Sequence, residues 1–518
     1  MMNGKVKKLA LAVGVALGGV SMVPTAQAVS AAQDNIGQAL IFPYYTVNSG
    51  WMSLFGVTNT SANIVAVKVR FREAYNSRDV LDFNVILSPH DVWTGWVAET
   101  ANGPTIFSED TTCTVGTITS SGVPFPSPTS YVGSAVDGGP TTVARMNEGY
   151  VEMIMMGAAD PTSSTTLPTT ALARGAIHST TTGVPPGCDA LVNAFQDTAK
   201  LSQLRSEFSV PMANLNPLSG TFSLVNGGEG YSAAGKPVAL ANFFSSDATA
   251  CGTNNTFGVC NLITLQLSQA AAGDFYRSWH EPSLSAANTA GARLATTGTG
   301  LGAEPSIAGT GVNLTGAPAV SFALAHTNVI NEWTRRTNPA AGWTTASDWV
   351  VTFPTKNFYV DNKPSTEFAG RAAGRANIAT ALPAVTTAPT PFAQFFVDTV
   401  NTPDVTTRGQ SCDSISIALY NREEAMATGG GFSPGGTPQL CYEANVLTFA
   451  GSNILNSAIP ASVDSLSGTF GWMNIGFSPA SGLPAVGFSI TSRDDTNSAL
   501  LSEAGLVEHS YVAPTTLP

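Results

Sequence analysis

Two neighbouring segments alternate apolar and polar residues, and this pattern is the strongest constraint on the fold. Residues 65–72 have the sequence VAVKVRFR and residues 81–87 the sequence LDFNVIL. A period of two is expected of β-strands with one buried face and one solvated face. The intervening residues include Asn76, Ser77 and Asp79, which favour a polar loop between antiparallel strands. The sequence therefore predicts a β-hairpin here and a fold built on sheets.

Strand-like segments recur in two blocks, separated by stretches rich in Gly, Ser and Thr. They are residues 36–47, 51–58, 92–97, 149–156, 221–225 and 238–244, and then 319–325, 348–353, 414–420, 443–449, 469–477 and 486–491. The first two are expected to pair across a turn at residues 48–50. Residues 188–204 space their apolar side chains as a helix does. We predict a mainly β protein with two antiparallel β-sandwich-like domains, long Gly/Ser/Thr-rich loops and one or two short helices.

The first 28 residues have the parts of a secretory signal peptide. Lys5, Lys7 and Lys8 precede an apolar run at residues 9–23, and residues 26–28 form an A-x-A ending. We therefore predict cleavage before Val29 and export to the cell surface or the extracellular space, with the periplasm as an alternative. No later stretch approaches the ~20 apolar residues of a spanning helix, so no transmembrane segment is expected in the mature chain.

The charge content is low and its balance is acidic. Charged residues make up 11% of the chain, against about 25% in typical soluble domains. The formal charge of −12 becomes −15 when the three lysines of the leader are removed. Such a balance repels phosphate backbones, so no nucleic-acid partner is expected. A low charge content with many small polar residues is typical of extended β-structure whose surface contacts other proteins or carbohydrates.

The six cysteines of this exported chain predict disulfide bonds. Six cysteines allow fifteen connectivities, which sequence alone does not separate. Proximity along the chain favours Cys251 with Cys260 and Cys412 with Cys441, which leaves Cys113 with Cys188. A zinc site is a poor alternative because the sequence has no C-x-x-C pair and its five histidines are scattered singly.

The segments above divide the chain into a leader and three regions. They are a signal peptide at residues 1–28, an N-terminal β-domain at 29–245, a disulfide-stapled loop and linker region at 246–318, and a C-terminal β-domain at 319–518. Residues 218–226 resemble residues 466–474, which would make the two β-domains diverged copies. Duplication predicts that the 113–188 and 412–441 cysteine pairs occupy equivalent places.

No motif in the sequence predicts a catalytic residue. Residues 431–435 satisfy the G-x-S-x-G pattern of a hydrolase, but Pro434 follows the serine and lacks the NH that would hold an oxyanion. Paired carboxylates are better explained as exposed, solubilising side chains than as the two catalytic carboxylates of a glycosidase. Calcium is the one cofactor that the sequence suggests, with Asp494 and Asp495 as candidate ligands, because hard oxygen ligands on loops suit this ion.

The tryptophans have two possible roles. A row of exposed indoles would stack on sugars, whereas indoles within strand-like segments pack into a core. Core packing is the favoured interpretation, because most of the seven considered lie in or beside such segments: Trp51, Trp93, Trp96, Trp333, Trp343, Trp349 and Trp472.

Several strand and turn motifs resemble a known group of proteins. They are residues 67–74 (VKVRFREA), 81–89, 91–94, 148–152 and 348–356 (DWVVTFPTK). Together they resemble a family of uncharacterised exported proteobacterial cell-surface proteins, some of them likened to surface-layer subunits. The resemblance implies a surface location, and it carries no catalytic residues.

Three functions from different classes remain. The first is a non-enzymatic structural subunit of the cell surface or an extracellular assembly, self-associating through its β-domains. The second is a secreted carbohydrate-binding or adhesive protein with a cell-surface glycan as partner, which would present an exposed aromatic row. The third is a secreted hydrolase, which would show two carboxylates in a cleft or a serine with a histidine partner.

Overall fold

The fold was analysed in a computed structural model of the chain. It describes residues 29–116, 118–125, 139–213, 215–244, 261–263, 284, 317–338, 342–357, 411–424, 426–428, 438–449, 451–463, 468–478, 482–497 and 501–514. The predicted signal peptide, the Cys251–Cys260 segment and the G-x-S-x-G motif at residues 431–435 lie outside these residues.

The protein is mainly β, as predicted. The strands of the N-terminal half are β1 (Ser30–Ala31), β2 (Ala39–Thr46), β3 (Met52–Asn59), β4 (Ile64–Glu73), β5 (Asp79–Leu87), β6 (Val92–Thr100), β7 (Gly103–Phe107), β8 (Cys113–Val115), β9 (Val123–Pro124), β10 (Glu148–Ala159), β11 (Leu218–Asn226), β12 (Tyr231–Gly235) and β13 (Val238–Ala241).

The C-terminal half continues the same pattern. Its strands are β14 (Ala325–His326), β15 (Asn328–Asn338), β16 (Trp343–Thr352), β17 (Asp413–Asn421), β18 (Met426–Thr428), β19 (Gln439–Leu440), β20 (Ala444–Phe449), β21 (Pro460–Val463), β22 (Phe470–Phe477), β23 (Leu483–Pro484), β24 (Val486–Asp495), β25 (Glu503–Glu508) and β26 (Ser510–Val512).

Three short helices accompany the strands in the described residues, one more than the upper number expected. They are α1 (Cys188–Phe195), α2 (Thr198–Glu207) and α3 (Ala317–Ala323). The single helix predicted at residues 188–204 is two helices, because Asp197 leaves the helical conformation and its side chain accepts a hydrogen bond from the Ala199 amide. That is an N-cap, which starts a new helix.

Two sheets form the N-terminal half. The seven-stranded sheet has the order β1-β13-β2-β10-β4-β5-β8 and the six-stranded sheet the order β12-β11-β3-β6-β7-β9. They pack face to face through aromatic rings; the Phe55 ring lies 5.4 Å from that of Phe42 and 5.6 Å from that of Phe71. The prediction that β2 and β3 pair is wrong: the turn between them carries the chain from one sheet to the other.

One eleven-stranded sheet forms most of the C-terminal half. Its main path is β18-β17-β22-β15-β16-β20-β21, and β24 joins β16 to β25 while β26 pairs with β15. All of its pairs are antiparallel except that of β20 with β21. The sheet has its own hydrophobic core, which includes Trp333, Trp349 and Met473. β14 and β23 form a separate two-stranded sheet.

The two halves also share a core. Val350, Phe488 and Ile490 of the C-terminal sheet belong to the same buried cluster as the residues between the N-terminal sheets, and the Phe488 ring lies 5.8 Å from that of Phe222. Each sheet is built from the strands of one half, while the hydrophobic contacts join the two halves.

The outer face of the seven-stranded sheet is covered as well. Toward one end, Ile64 and Ile86 join Leu191 and Phe195 of α1 in a third buried cluster. Toward the other end, the polar residues of β4 are buried. Both faces of this central sheet are therefore inaccessible to solvent along β4, whose ten residues are all buried.

Candidate functional site

The polar face of β4 carries a buried network of ion pairs. The Arg72 guanidinium lies 3.0 Å from Asp79 Oδ1 and 2.8 Å from Glu152 Oε1, and Arg70 also pairs with Asp79. These side chains are fully buried. The prediction that this face is solvated is therefore wrong. The alternation correctly located the polar positions of β4. However, acidic residues on β5 and β10 contact the basic side chains, so these are stabilised by ion pairs and not by water.

The hairpin loop is organised by Glu73, the last residue of β4. Its carboxylate accepts hydrogen bonds from the backbone amides of Tyr75 (2.8 Å), Asn76 (3.1 Å) and Arg78 (2.9 Å). Arg145 Nε lies 3.2 Å from the same carboxylate. Because one carboxylate satisfies three amides of a tight loop, this polar loop is buried without losing its hydrogen bonds.

Buried carboxylates also join the two halves. Glu148 on β10 accepts hydrogen bonds from the Tyr44 hydroxyl (2.6 Å) and the Ala458 amide (2.8 Å). Asp348 on β16 accepts from the Leu455 amide at 3.0 Å. Burial raises the pKa of Glu148 and raises the pKa of Asp348 to about 6. Residues 453–458 are thereby held against both β10 and β16.

Glu443 lies at a second junction. Its amide donates to the Ala74 carbonyl at 3.0 Å, which attaches the C-terminal half to the hairpin loop. Burial raises the pKa of the Glu443 carboxyl to about 8, although the nearby Lys356 acts in the opposite direction. Lys356 forms its own ion pair with Asp413 at 2.7 Å. These groups are all buried, so the raised pKa of Glu443 reflects packing between the halves rather than an accessible reaction site.

A serine with a histidine partner, the feature expected of a hydrolase, does occur. Ser88 Oγ lies 3.0 Å from His178 Nδ1, and Asp91 Oδ2 lies 3.6 Å from the same ring nitrogen. In a Ser-His-Asp triad the hydroxyl and the carboxylate contact opposite nitrogens of the ring. The Ser88 amide also donates to Asp91 Oδ2 at 2.9 Å. This arrangement closes the turn at residues 88–91 and does not make Ser88 a nucleophile.

The two candidate calcium ligands are not brought together. Asp494 and Asp495 are consecutive in β24, so their side chains leave opposite faces of the strand. Asp494 accepts hydrogen bonds from the hydroxyls of Tyr231, Thr344 and Ser492. Asp495 Oδ1 accepts from the Asn497 amide at 2.8 Å. Among the described residues, no group of three or more histidine, cysteine or acidic side chains could hold a metal ion.

Two of the predicted disulfide bonds are present. Cys113 pairs with Cys188, with Cα atoms 5.4 Å apart, and Cys412 pairs with Cys441. The first ties the edge strand β8 to the start of α1, whereas the second lies beside the short β17–β19 pair. Their settings differ and lend no support to the predicted duplication. Disulfides form and persist in oxidising compartments, which indicates a location outside the cytoplasm.

The tryptophans divide into buried and exposed residues. Trp51, Trp93, Trp333 and Trp349 are fully buried, which confirms core packing for these four. Trp96 stacks on Phe107 in a half-buried pair, and Trp343 is also half-buried. Trp472 is different: it is 40% exposed on the outer face of β22. The period of two along β22 places Trp472 on the face opposite Met473 and thus outside, so the core-packing prediction does not hold for this residue.

Trp472 belongs to an exposed aromatic strip formed by Tyr420, Phe470 and Trp472. The rings of Tyr420 and Trp472 stack with their centroids 4.1 Å apart and their planes 10° apart. Phe470, two residues before Trp472 on the same strand, is 41% exposed. On the other side of Trp472, β15 places Glu332 directly opposite it. This strip is the accessible candidate site of the C-terminal sheet.

The remaining observations concern membranes and similarity. In the part of the chain that the structure describes, no helix has the length and apolarity to span a membrane. Comparison of the chain with protein-family models, with curated proteins and with solved structures gave no match. The resemblance to exported surface proteins therefore stays a prediction, and the functional argument depends on the geometry of the chain itself.

Proposed function

We propose that this protein is a non-enzymatic structural subunit of the bacterial cell surface or of an extracellular assembly, and that it associates with copies of itself through its C-terminal sheet. The signal peptide predicted at residues 1–28 and the two disulfide bonds support an exported location. The buried charged side chains of the candidate site support a structural role, because they form internal ion pairs and hydrogen bonds that connect the strands and the two halves.

The observation that carries the proposal is an apolar edge, defined here as Leu501, Val507 and Val512. These side chains are 68%, 60% and 41% exposed. Val507 lies on β25 and Val512 on β26; among the described strands, β25 pairs only with β24 and β26 only with β15. Unpaired strand edges with exposed apolar residues are templates for pairing with another chain. The Val507 and Glu508 carbonyls accept hydrogen bonds from Asn331 Nδ2, so a second copy would chiefly cover the exposed apolar side chains.

The test is negative-stain electron microscopy of the purified exported protein, first with calcium and then with a chelator. Ordered sheets, tubes or fibres are expected, and their loss with chelator would implicate bridging carboxylates. Monodisperse particles under both conditions would contradict the proposal. The double variant Val507→Lys and Val512→Lys should prevent assembly, because it places two charges in the contact.

Val92→Lys is the matched control for this experiment. Val92 is an exposed valine on β6 of the six-stranded sheet, which shares no strand with the C-terminal sheet. This variant should assemble like the unchanged protein. Assembly that survives the double substitution at Val507 and Val512 would show that the contact lies elsewhere, and equal loss in the Val92 variant would show that any added lysine disrupts it.

A further inference from the structure

The aromatic strip (Tyr420, Phe470 and Trp472) differs chemically from the apolar edge. Its rings project from one face of adjacent strands, since Tyr420 and Trp472 are directly opposed in the β17–β22 register. The alternate residues of β22, including Met473 and Ile475, point to the opposite face and into the core. Two residues of a strand span about 7 Å, so Phe470 and Trp472 extend the apolar surface along the strand.

Polar groups border the strip on the same face. Glu332 on β15 lies across from Trp472, and the next position along β22 on that face is Asn474. Asn474 Oδ1 accepts a hydrogen bond from Asn328 Nδ2 at 2.8 Å, which fixes the orientation of both amides. An amide has both donor and acceptor atoms, and a carboxylate accepts up to four hydrogen bonds. Tyr420 covers one face of the Trp472 ring, and the remaining exposed surface of Trp472 and Phe470 adjoins oriented hydrogen-bonding groups.

This combination of aromatic and polar groups is chemically complementary to the surface of a carbohydrate. A pyranose ring presents axial C–H groups on its faces, which pack on aromatic rings, and hydroxyls at its rim, which bond to carboxylates and amides. Binding sites in general combine aromatic surface with a few placed polar groups. Protein interfaces also use exposed aromatic residues, but their cores are depleted of charged residues. Glu332, directly opposite Trp472, therefore suits a hydroxyl-rich ligand better than a second protein chain.

We propose that the aromatic strip is a binding site for a neutral carbohydrate chain, with Trp472 as the principal stacking surface and Glu332 and Asn474 as hydrogen-bonding groups. The chain carries a formal charge of −12, and Glu332 adds a local negative charge, so polyuronic acids are disfavoured by like-charge repulsion. The site shares no residue with the apolar edge (Leu501, Val507 and Val512) but borders it, since Asn331, next to Glu332, donates to the Val507 carbonyl at 3.2 Å.

The experiment measures binding of cellohexaose, mannohexaose and chitohexaose to the full exported protein by calorimetry and by tryptophan fluorescence. Hexagalacturonate is the anionic comparison. At least one neutral hexasaccharide should bind at or below about 1 mM, the affinity range of a shallow site. Trp472→Ala should weaken that binding at least about tenfold, as expected for truncation of a central aromatic contact, and Trp472→Tyr should restore part of it. Glu332→Gln should have a smaller effect.

Trp96→Ala is the control, because Trp96 stacks on Phe107 in a similar cross-strand pair on the other half of the molecule. Its binding should stay within about twofold of the unchanged protein. The proposal is overturned if no neutral hexasaccharide binds up to about 10 mM, if binding survives Trp472→Ala, or if hexagalacturonate binds best. Failure of assembly in the Val507 and Val512 double variant, with binding retained, would separate the two proposals.

Discussion

The substitution Glu443→Gln is expected to stabilise the protein near neutral pH. The Glu443 carboxyl is fully buried at the junction between the hairpin loop and the C-terminal half, and burial raises its pKa from an ordinary value of 4.5 to about 8. Because the folded pKa lies above the unfolded one, the folded state holds this proton more tightly. The corresponding stability is fully present below about pH 4.5 and is lost as the pH rises to about 8.

The size of the effect follows from the two pKa values. Each pKa unit corresponds to 1.36 kcal/mol. Between the ordinary value of 4.5 and about pH 7, the unchanged protein therefore loses about 3 kcal/mol through this group. Glutamine has the same shape and does not titrate, so the variant should lack this loss. Lys356 keeps its ion pair with Asp413 in the variant, which limits the cost of the substitution.

The assay is urea unfolding of both proteins between about pH 5 and pH 8. The stability difference should grow steadily with pH in favour of Glu443→Gln. Glu503→Gln is the control: Glu503 forms an exposed ion pair with Arg493, and such pairs contribute little, so its pH profile should match that of the unchanged protein. A Glu443→Gln variant that is less stable at every pH would refute the reasoning and indicate an ionised, paired Glu443.

Three further predictions test the packing. Arg72→Met should cost about 3–5 kcal/mol in urea unfolding, because it leaves the buried Asp79 with one cation fewer; a cost below about 1 kcal/mol would contradict the network. Cys113→Ser should reduce stability by about 1 kcal/mol more than Cys412→Ser in the same assay, because the sequence separations of the two bridges are 75 and 29. Gly149→Ala should lower the midpoint of thermal unfolding measured by circular dichroism, because its Cβ would overlap the Arg72 carbonyl oxygen; an unchanged midpoint would show that the strands separate easily at this position.

Local periodicity predicted most of the strands but not what covers them. The alternation of residues 65–72 correctly placed Val67 and Phe71 in the core and Lys68 and Arg70 on the other face. It did not show that the second face is buried, because that depends on acidic partners from other strands and on the C-terminal half. The alternation of residues describes one strand at a time, whereas burial of that strand depends on which distant segments of the chain pack against it.

The candidate sites show the same limit. Proximity correctly predicted the pairing of Cys412 with Cys441, and elimination that of Cys113 with Cys188. The exposure of Trp472 was not predicted, because a tryptophan in an apolar strand suits a core equally well. Its outward direction was available from the alternation with Met473 and Ile475, which are buried. The distinction between the two faces required knowing that only one of them is covered.

The shared core has a consequence for how the chain acquires its structure. Trp51 Nε1–H donates to the Ile454 carbonyl at 2.9 Å across 403 positions of sequence, and residues of both halves complete one hydrophobic cluster. The N-terminal sheets are synthesised first, so their apolar surface stays uncovered until the last strands emerge. Forming contacts between such distant segments is slow, and it leaves folding intermediates with exposed hydrophobic surface that promotes aggregation. We therefore expect the chain to need a holding chaperone during maturation, and variants truncated before β24 to aggregate rather than fold.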